Sequence, residues 1–180
     1  LESPVLTNAQ FKKIHDTFKN EINTVDITYE LNEKNNLKNQ LDRIRSEAEE
    51  FVRGGAKHLV ISDENVSKNS ISIPVILAQG AIQSHLTNLG IRKFVSIHVR
   101  SAECLDTHYF AVLIGAGATT VNPYLAIDSI YQRFEKGLFG KLSFDECVHR
   151  YVKAINDGLL KIMSKMGISV ISSYRGGLNF

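Results

Sequence analysis

The sequence has few of the residues that mark specialised classes of protein. Its 180 residues include two cysteines, three prolines and no tryptophan. Two cysteines cannot build a disulfide framework, complete a four-ligand zinc site or hold an iron–sulfur cluster by themselves. No apolar run approaches the roughly 20 residues that cross a bilayer, and no signal-peptide pattern opens the sequence. We therefore expect neither a disulfide-stapled scaffold nor a membrane partner.

The charge balance argues against a second class, the nucleic-acid-binding proteins. The 21 Lys and Arg are interleaved with 19 Asp and Glu, which leaves a net charge of +2. Nucleic acid is bound by basic residues gathered on one face, and no such cluster is present. With 43% hydrophobic and 22% charged residues, the composition is typical of a folded globular domain.

Strand and helix patterns alternate along the chain, which indicates an α/β fold. Runs of apolar or alternating residues predict four strands, at 22–29, 58–62, 94–99 and 118–121. Helical spacing predicts the intervening helices, the main ones at 37–54, 74–90, 102–114 and 143–167. Helical crossovers between strands require a parallel sheet. The prediction is a parallel sheet of about four strands with helices on both faces and a long C-terminal helix.

Polar residues are expected to begin several of these helices. Asn8 is predicted to cap a short first helix, and Ser101 to cap the helix after the third strand. Asn122 with Pro123 is predicted to begin the helix after the fourth strand. Ser143 and Glu146 have the spacing of a capping box at the start of the last long helix.

The stretch 136–141, which contains two glycines, is the most plausible internal boundary. It divides the chain into an α/β domain at 1–137 and a C-terminal helix with a link at 138–180. The sequence begins at Leu1 without a methionine and stops soon after the last predicted helix. We therefore expect it to be a piece of a longer protein.

A carboxylate pair lies where chemistry would be expected. In open α/β sheets, ligands bind beyond the carboxyl ends of the strands, and Asp63 and Glu64 follow the second strand. Two carboxylates suit metal binding or general-base catalysis, although Asp is also an ordinary turn residue. The alternative hypothesis for this chain is thus a free-standing small α/β enzyme that uses Asp63, Glu64 and His108.

Cys104 and His108 are four residues apart in the helix predicted at 102–114, and could couple there as nucleophile and base. The neighbouring Tyr109 and Phe110 favour instead a packed thiol with a raised pKa and no reactivity.

Gly115 and Gly117 resemble half of a phosphate-binding loop, but they leave a helix and enter a strand, the reverse of the required order. We interpret them as a helix stop and a tight turn. We assign no catalytic, cofactor-binding or metal residue from the residues alone.

Longer strings are more specific. The segment 108–118 runs into Val121-Asn122-Pro123-Tyr124-Leu125-Ala126, and 158–169 is followed by Ser173-Tyr174-Arg175-Gly176. These strings resemble the central domain of glutamate synthases, and the resemblance covers nearly all of the chain. Asp63-Glu64 departs from the Asp-Arg that is more usual in that family.

The resemblance implies that catalysis lies outside this chain. In that family an amidotransferase domain releases ammonia from glutamine, and an FMN-binding barrel uses it to make glutamate from 2-oxoglutarate. FMN and a 3Fe-4S cluster belong to the full enzyme, and no cofactor is expected in this piece. The resemblance places the chain between those two domains as part of the wall of an ammonia tunnel. It also implies ferredoxin or an NADPH-oxidising small subunit as partner, in a bacterial cytoplasm or a plastid stroma.

One segment is assigned to the domain interface or tunnel on the basis of this resemblance. It joins the last long helix to a stretch at 170–174 that is expected to be extended, so that 138–180 would include the start of the link to the FMN-binding domain. A plain helix end is the alternative. The segment consists of Met163, Ser164, Lys165, Met166, Gly167, Ile168 and Ser169.

Overall fold

A four-stranded parallel sheet is the centre of the fold, as the sequence predicts. The computed structural model describes residues 3–30 and 36–177. The strands of the sheet are β1 (Ile22–Asp26), β3 (His58–Ser62), β5 (Ser96–Arg100) and β6 (Thr120–Asn122). Two short strands, β2 (Thr28–Tyr29) and β4 (Ile71–Ser72), pair antiparallel just beyond β1. The α/β class is confirmed.

Helices connect the strands and extend the chain beyond them. They are α1 (Asn8–Thr17), α2 (Leu37–Arg53), α3 (Val75–Asn88), α4 (Thr107–Gly115), α5 (Tyr124–Glu135), α6 (Phe144–Lys165) and α7 (Ile171–Tyr174), with a 3₁₀ turn at Arg92–Phe94. The 22 residues of α6 confirm the predicted long helix. None of the helices in the described ranges is long and apolar enough to cross a membrane.

The parallel strands lie in the sheet in the order in which they occur along the chain, β1-β3-β5-β6. Because every right-handed crossover leads to the next strand, the connecting helices return over the same face. Buried side chains from α2, α3 and α4 share one core with one face of the strands: Ile44, Ala48, Ile82, Leu86, Phe110, Leu113, Leu59, Ile61, Ile97 and Val99. On the other face, Phe11 of α1 packs with Ile22 and Val60. Helices thus cover both faces, but unequally.

The residues before α1 extend the sheet beyond β6. The Leu6 amide donates to the carbonyl of Val121 at 2.8 Å, and the Val121 amide donates to the carbonyl of Pro4 at 2.8 Å. These bonds satisfy the outer edge of β6, which would otherwise expose unpaired backbone groups.

The first predicted strand, at 22–29, is in fact divided. The amide of Ile27 still bonds the carbonyl of Ser62, but the Ile27 carbonyl accepts from Ile73. Residues 28 and 29 therefore pair with β4 instead of continuing along β3. The stretch 170–174, expected to be extended, is also different, because it contains α7.

Three predicted helix caps are wrong. Thr7, not Asn8, caps α1, through a reciprocal capping box with Gln10. α4 begins at Thr107, and Asp106 caps it by accepting from the amide of Tyr109 at 3.0 Å. Ser101 and Asn122 are committed to other hydrogen bonds, so neither caps a helix, and α5 has no side-chain cap. The Ser143 hydroxyl does accept from the amide of Glu146, as predicted for α6.

The C-terminal part of the chain packs into the same core as the sheet. Ile155, Leu159, Met163 and Tyr174 are buried with the residues of β3 and β5. A Cβ added at Gly158 would lie 2.5 Å from Thr107, which shows how closely α6 approaches α4. The division into 1–137 and 138–180 stays a prediction.

Candidate functional site

Polar side chains from three strands meet at the carboxyl edge of the sheet, around Arg100. Strand register places Ser62, Arg100 and Asn122 side by side at the strand ends. Arg100 forms an ion pair with Glu64, with Nε 2.6 Å from Oε2 and Nη2 2.7 Å from Oε1. Its Nη1 donates to Asn122 Oδ1 at 2.5 Å. The hydrogen bonds from Arg100 lower the pKa of Glu64, so this carboxylate is charged at neutral pH.

The Arg100 guanidinium is also covered on its faces. Its central carbon lies 4.8 Å from the ring centre of Phe11 in α1 and 5.1 Å from that of Tyr124 in α5. Only 17% of the side chain is exposed. Stacked between rings and paired with Glu64 and Asn122, the cation is held in place by the fold.

Asn122 ties the N-terminal segment to this cluster. It is fully buried, and its Nδ2 donates to the carbonyl of Leu6 at 2.9 Å and to Asn8 Oδ1 at 3.0 Å. Its amide oxygen accepts from Arg100. Both polar atoms of this side chain therefore serve the fold.

Asp63, a carboxylate of the alternative enzyme hypothesis, shapes the loop between β5 and α4. It is 2% exposed, and its carboxylate accepts from Ser101 Oγ at 2.6 Å and from the amide of Ala102 at 3.0 Å. Burial, and after it the charge of Asp63, raises the pKa of the Tyr124 hydroxyl. Because Asp63 accepts hydrogen bonds from residues 101 and 102, the chain turns there and α4 begins only at Thr107.

Glu103, which lies in the loop between β5 and α4, stabilises the start of α3. Pro74 stands at the cap position of α3 and provides no side-chain hydrogen bond. Glu103 supplies it from the loop, accepting from the amide of Val75 at 3.2 Å. The Tyr109 hydroxyl donates to the same carboxylate, and burial together with this bond raises the pKa of Tyr109.

The residues of the alternative enzyme hypothesis are not brought together. His108 is exposed in the first turn of α4, and within the described ranges it forms no hydrogen bond or ion pair with Asp63 or Glu64. Cys104 lies in the turn before α4, so the predicted pairing of Cys104 and His108 on one helix face is wrong. Cys104 is fully buried and burial raises the pKa of its thiol, which confirms the prediction of a packed cysteine with a raised pKa. No group of three His, Cys, Asp or Glu in the described parts of the chain could hold a metal ion.

Gly115 is the last residue of α4, and Gly117 forms a tight turn after it, as predicted. Gly117 has φ of +107°, and a Cβ there would lie 2.1 Å from Gln83 Oε1. Its carbonyl accepts from Arg92 Nη2 at 2.7 Å. The turn is thus built for close packing between α3, α4 and β6.

A histidine pair that sequence reasoning missed lies on the sheet face under α1. His58 Nδ1 is 2.9 Å from His98 Nε2, and His98 Nδ1 is 2.7 Å from Thr120 Oγ1. The Phe18 ring stacks on His58 with centroids 4.1 Å apart. Burial and the neighbouring His58 lower the pKa of His98 to about 4. The available signal was His98, a polar residue at the centre of the apolar strand β5.

Two grooves flank α1. The larger, of about 930 Å³, lies between the N-terminal segment, α5 and α6, with Ile127, Tyr131, Val148 and His149 in its wall. The smaller, of about 510 Å³, lies between α1 and the sheet and ends at Glu64 and Arg100.

Two of the seven residues in the segment 163–169 are buried or partly buried, and the other five are exposed. Met163 is buried, and Ile168 packs against the core. Gly167 has φ of +70°, and the Ile168 amide returns to the carbonyl of Met163 at 3.0 Å. The exposed members are Ser164, Lys165, Met166, Gly167 and Ser169. A helix end of this kind leaves a surface that a neighbouring domain could cover, and its interface role stays a prediction.

A family model described as the glutamate synthase central domain matches residues 1–180. The chain is 53% identical to the large chain of NADPH glutamate synthase from Azospirillum brasilense and 37% identical to that from Bacillus subtilis. It is 38% identical to the ferredoxin-dependent glutamate synthase of Pyropia yezoensis. Each match covers all of this chain and 12% of the relative, so the chain spans about an eighth of these proteins.

Solved structures show the fold alone. A mutant flavocytochrome b2 with pyruvate bound has a TM-score of 0.59 at 15% identity, over 93% of this chain and 37% of that one. DHODH from Eimeria tenella in complex with ferulenol has a TM-score of 0.54 at 12% identity, over 86% of this chain and 37% of that one. In both, this α/β arrangement corresponds to part of a larger chain.

Proposed function

The chain belongs to the glutamate synthase central domain family, and from this membership we propose that it is a connecting domain without an active site of its own. In the full-length enzyme it stands between the domain that releases ammonia from glutamine and the FMN-binding domain. It fixes their distance and forms part of the wall of the ammonia tunnel. The whole enzyme converts L-glutamine and 2-oxoglutarate into L-glutamate, with FMN and the 3Fe-4S cluster held by other parts of the chain.

One observation carries this proposal: the carboxyl edge of the sheet is closed by its own side chains. Asp63, Glu64 and Arg100 are the groups that could do chemistry there, and each is bonded to protein groups. A catalytic acid, base or cation must come within hydrogen-bond reach of the reacting atoms. Groups that are bonded to one another in a network stabilise a shape instead.

The exposed end of α6 supports a contact with a neighbouring domain. Leu160, Met166 and Val170 are large apolar side chains with exposed fractions of 60%, 40% and 53%. Contiguous exposed apolar surface commonly marks an interaction site. This supports the assignment of Met163–Ser169 to the interface, on the side of the FMN-binding domain.

The remaining partner is the electron donor. The relatives include proteins named for NADPH and proteins named for ferredoxin. We propose that the full-length enzyme takes electrons from one of these two sources, in a bacterial cytoplasm or a plastid stroma.

The test uses a full-length glutamate synthase large chain that carries this domain. Ser164→Trp and Ser169→Trp add bulk to exposed positions of the segment, and Ser46→Trp on the exposed face of α2 is the matched control. We expect the two segment variants to consume more glutamine than matches the glutamate that they form. The added bulk would let ammonia escape from the tunnel or displace the domains relative to each other. The control should keep the two rates coupled.

The measurement is the ratio of glutamine consumed to glutamate produced. Tight coupling in both segment variants would refute the tunnel-wall role. Glutaminase activity or FMN absorbance in the purified 180-residue chain would refute the idea of a domain without an active site.

A further inference from the structure

Arg92 holds a half-buried positive charge at the amino edge of the sheet, opposite the Arg100 cluster. Its guanidinium donates to Gln83 Oε1 at 2.5 Å, to the carbonyl of Val95 at 2.6 Å and to the carbonyl of Gly117 at 2.7 Å. All three acceptors are neutral. Within the described ranges Arg92 has no carboxylate partner.

Arg175 brings a second positive charge to the same place. Burial, and after it the charge of Arg175, lowers the pKa of Arg92 to about 10. The residues on both sides of Arg175 are fixed on α4: the Tyr174 hydroxyl donates to the carbonyl of Ala111 at 3.2 Å, and the Gly176 amide donates to that of Gly115 at 2.9 Å. A Cβ at Gly176 would lie 3.5 Å from Nε2 of Gln83, the side chain that also accepts from Arg92, so packing holds Arg175 near Arg92 despite the repulsion between them.

The Arg175 side chain is half-buried, and it has no hydrogen bond or ion pair to any residue in 3–30 or 36–177. Two neighbouring guanidinium groups without an acid are costly unless an anion joins them. The planar donor fork of arginine fits a carboxylate with two parallel hydrogen bonds.

We propose that Arg175, with Arg92 behind it, is one half of an ion pair between domains and receives an Asp or Glu side chain from another part of the same polypeptide. The relatives extend far beyond the region that this chain matches, so most of the polypeptide that could supply the acid lies outside these 180 residues. The inference rests on the proposed connecting role. It adds the residue that makes the contact and the chemistry of its partner.

The first test is zero-length carbodiimide cross-linking of the full-length enzyme. Arg175→Lys keeps the charge and provides an amine that can be joined to a carboxylate in contact with it. Arg133→Lys, at an exposed position of α5, is the matched control. We expect mass spectrometry to find a link from position 175 to an Asp or Glu outside residues 1–180, and none from position 133. No link from position 175, or links only within the 180 residues, would overturn the proposal.

The second test uses the sign of a charge reversal. If an acid binds Arg175, Arg175→Glu repels it and lowers the unfolding temperature of the full-length enzyme more than Arg175→Ala does. The difference should shrink in 0.5 M salt. If no acid is present, Arg175→Glu places a carboxylate beside Arg92 and leaves the unfolding temperature unchanged or higher, which would contradict the proposal.

The cross-links and the unfolding temperatures are measured independently of the ratio of glutamine consumed to glutamate produced. A link from position 175 together with tight coupling in the segment variants would remove the tunnel role and keep the ion pair. Uncoupling without a link would do the reverse.

Discussion

The two edges of the parallel sheet treat their arginines in opposite ways. At the carboxyl edge, Arg100 is paired with Glu64, bonded to Asn122 and stacked between two rings. At the amino edge, Arg92 donates only to neutral acceptors. No described residue accepts a hydrogen bond from the Arg175 side chain. In α/β enzymes the carboxyl edge carries the chemistry. Here the polar groups of that edge are bonded to each other, and Arg92 and Arg175, which have no carboxylate partner in the described ranges, lie at the amino edge.

This difference fits the proposed connecting role. At the carboxyl edge, Asp63 holds the loop before α4 and Glu103 holds the start of α3. Such bonds rigidify the edge. Contacts with neighbouring domains then depend on the surfaces that remain open.

The largest expected effect is at the amino edge, with Gly117→Ala. The substitution forces an L-residue to φ of +107° and puts a Cβ 2.1 Å from Gln83 Oε1, which binds Arg92. We expect a loss of about 4 kcal/mol in the free energy of unfolding from backbone strain and the displaced hydrogen bond. Urea unfolding measures it. Gly80→Ala in α3 is the control, because its added Cβ meets nothing within 4 Å and should stabilise by roughly 0.5–1 kcal/mol. Equal stability of the two variants would contradict the role of the turn.

A smaller effect is expected between the two edges, at His98. Its pKa is about 4 in the fold against 6.5 unfolded, so the unfolded chain binds the proton more readily. Stability is therefore full above pH 6.5 and falls as the pH drops toward 4, by about 3 kcal/mol at most. Acid unfolding curves of the wild type and His98→Gln would show it, since the variant loses this slope. His15→Gln, at an exposed position of α1, should keep the slope of the wild type. A slope unchanged in His98→Gln would show that another group carries the acid sensitivity.

The smallest of the three effects is expected at the carboxyl edge. Asp63→Ala leaves the Ser101 hydroxyl and the Ala102 amide without their acceptor, which should cost about 2 kcal/mol in unfolding free energy. Asp42→Ala removes only an exposed ion pair with Arg45 and should cost at most about 0.5 kcal/mol. Thermal unfolding of both variants tests the difference. A cost below 0.5 kcal/mol for Asp63→Ala would mean that this edge is not closed by its carboxylates.

Long periodic elements could be predicted from the sequence, and short-range choices between neighbouring residues could not. The pattern of Leu41, Ile44 and Ala48 identified α2, because a helix repeats its buried face every three or four residues. The caps failed where two candidates compete, as with Thr7 and Asn8, or where a distant residue takes the side chain, as Asp63 takes Ser101. Such bonds depend on contacts between residues far apart in the sequence.

The candidate site shows the same limit. Asp63 and Glu64 were placed at the correct edge by their position after a strand, but their partners Ser101 and Arg100 come from another strand. Whether a carboxylate is free or satisfied is a property of the assembled edge. The histidine pair was missed for the same reason, since His58 and His98 are 40 residues apart.

The sequence by itself determined the main helices and strands, the parallel sheet, the buried cysteine and the resemblance to a family, because these depend on local periodicity, burial propensity and residue strings. Only the tertiary structure decided the strand order, the closure of the carboxyl edge and the meeting of Arg92 with Arg175. Those features are set by which side chains share a strand end or a helix terminus, and that sharing exists only once the sheet has formed.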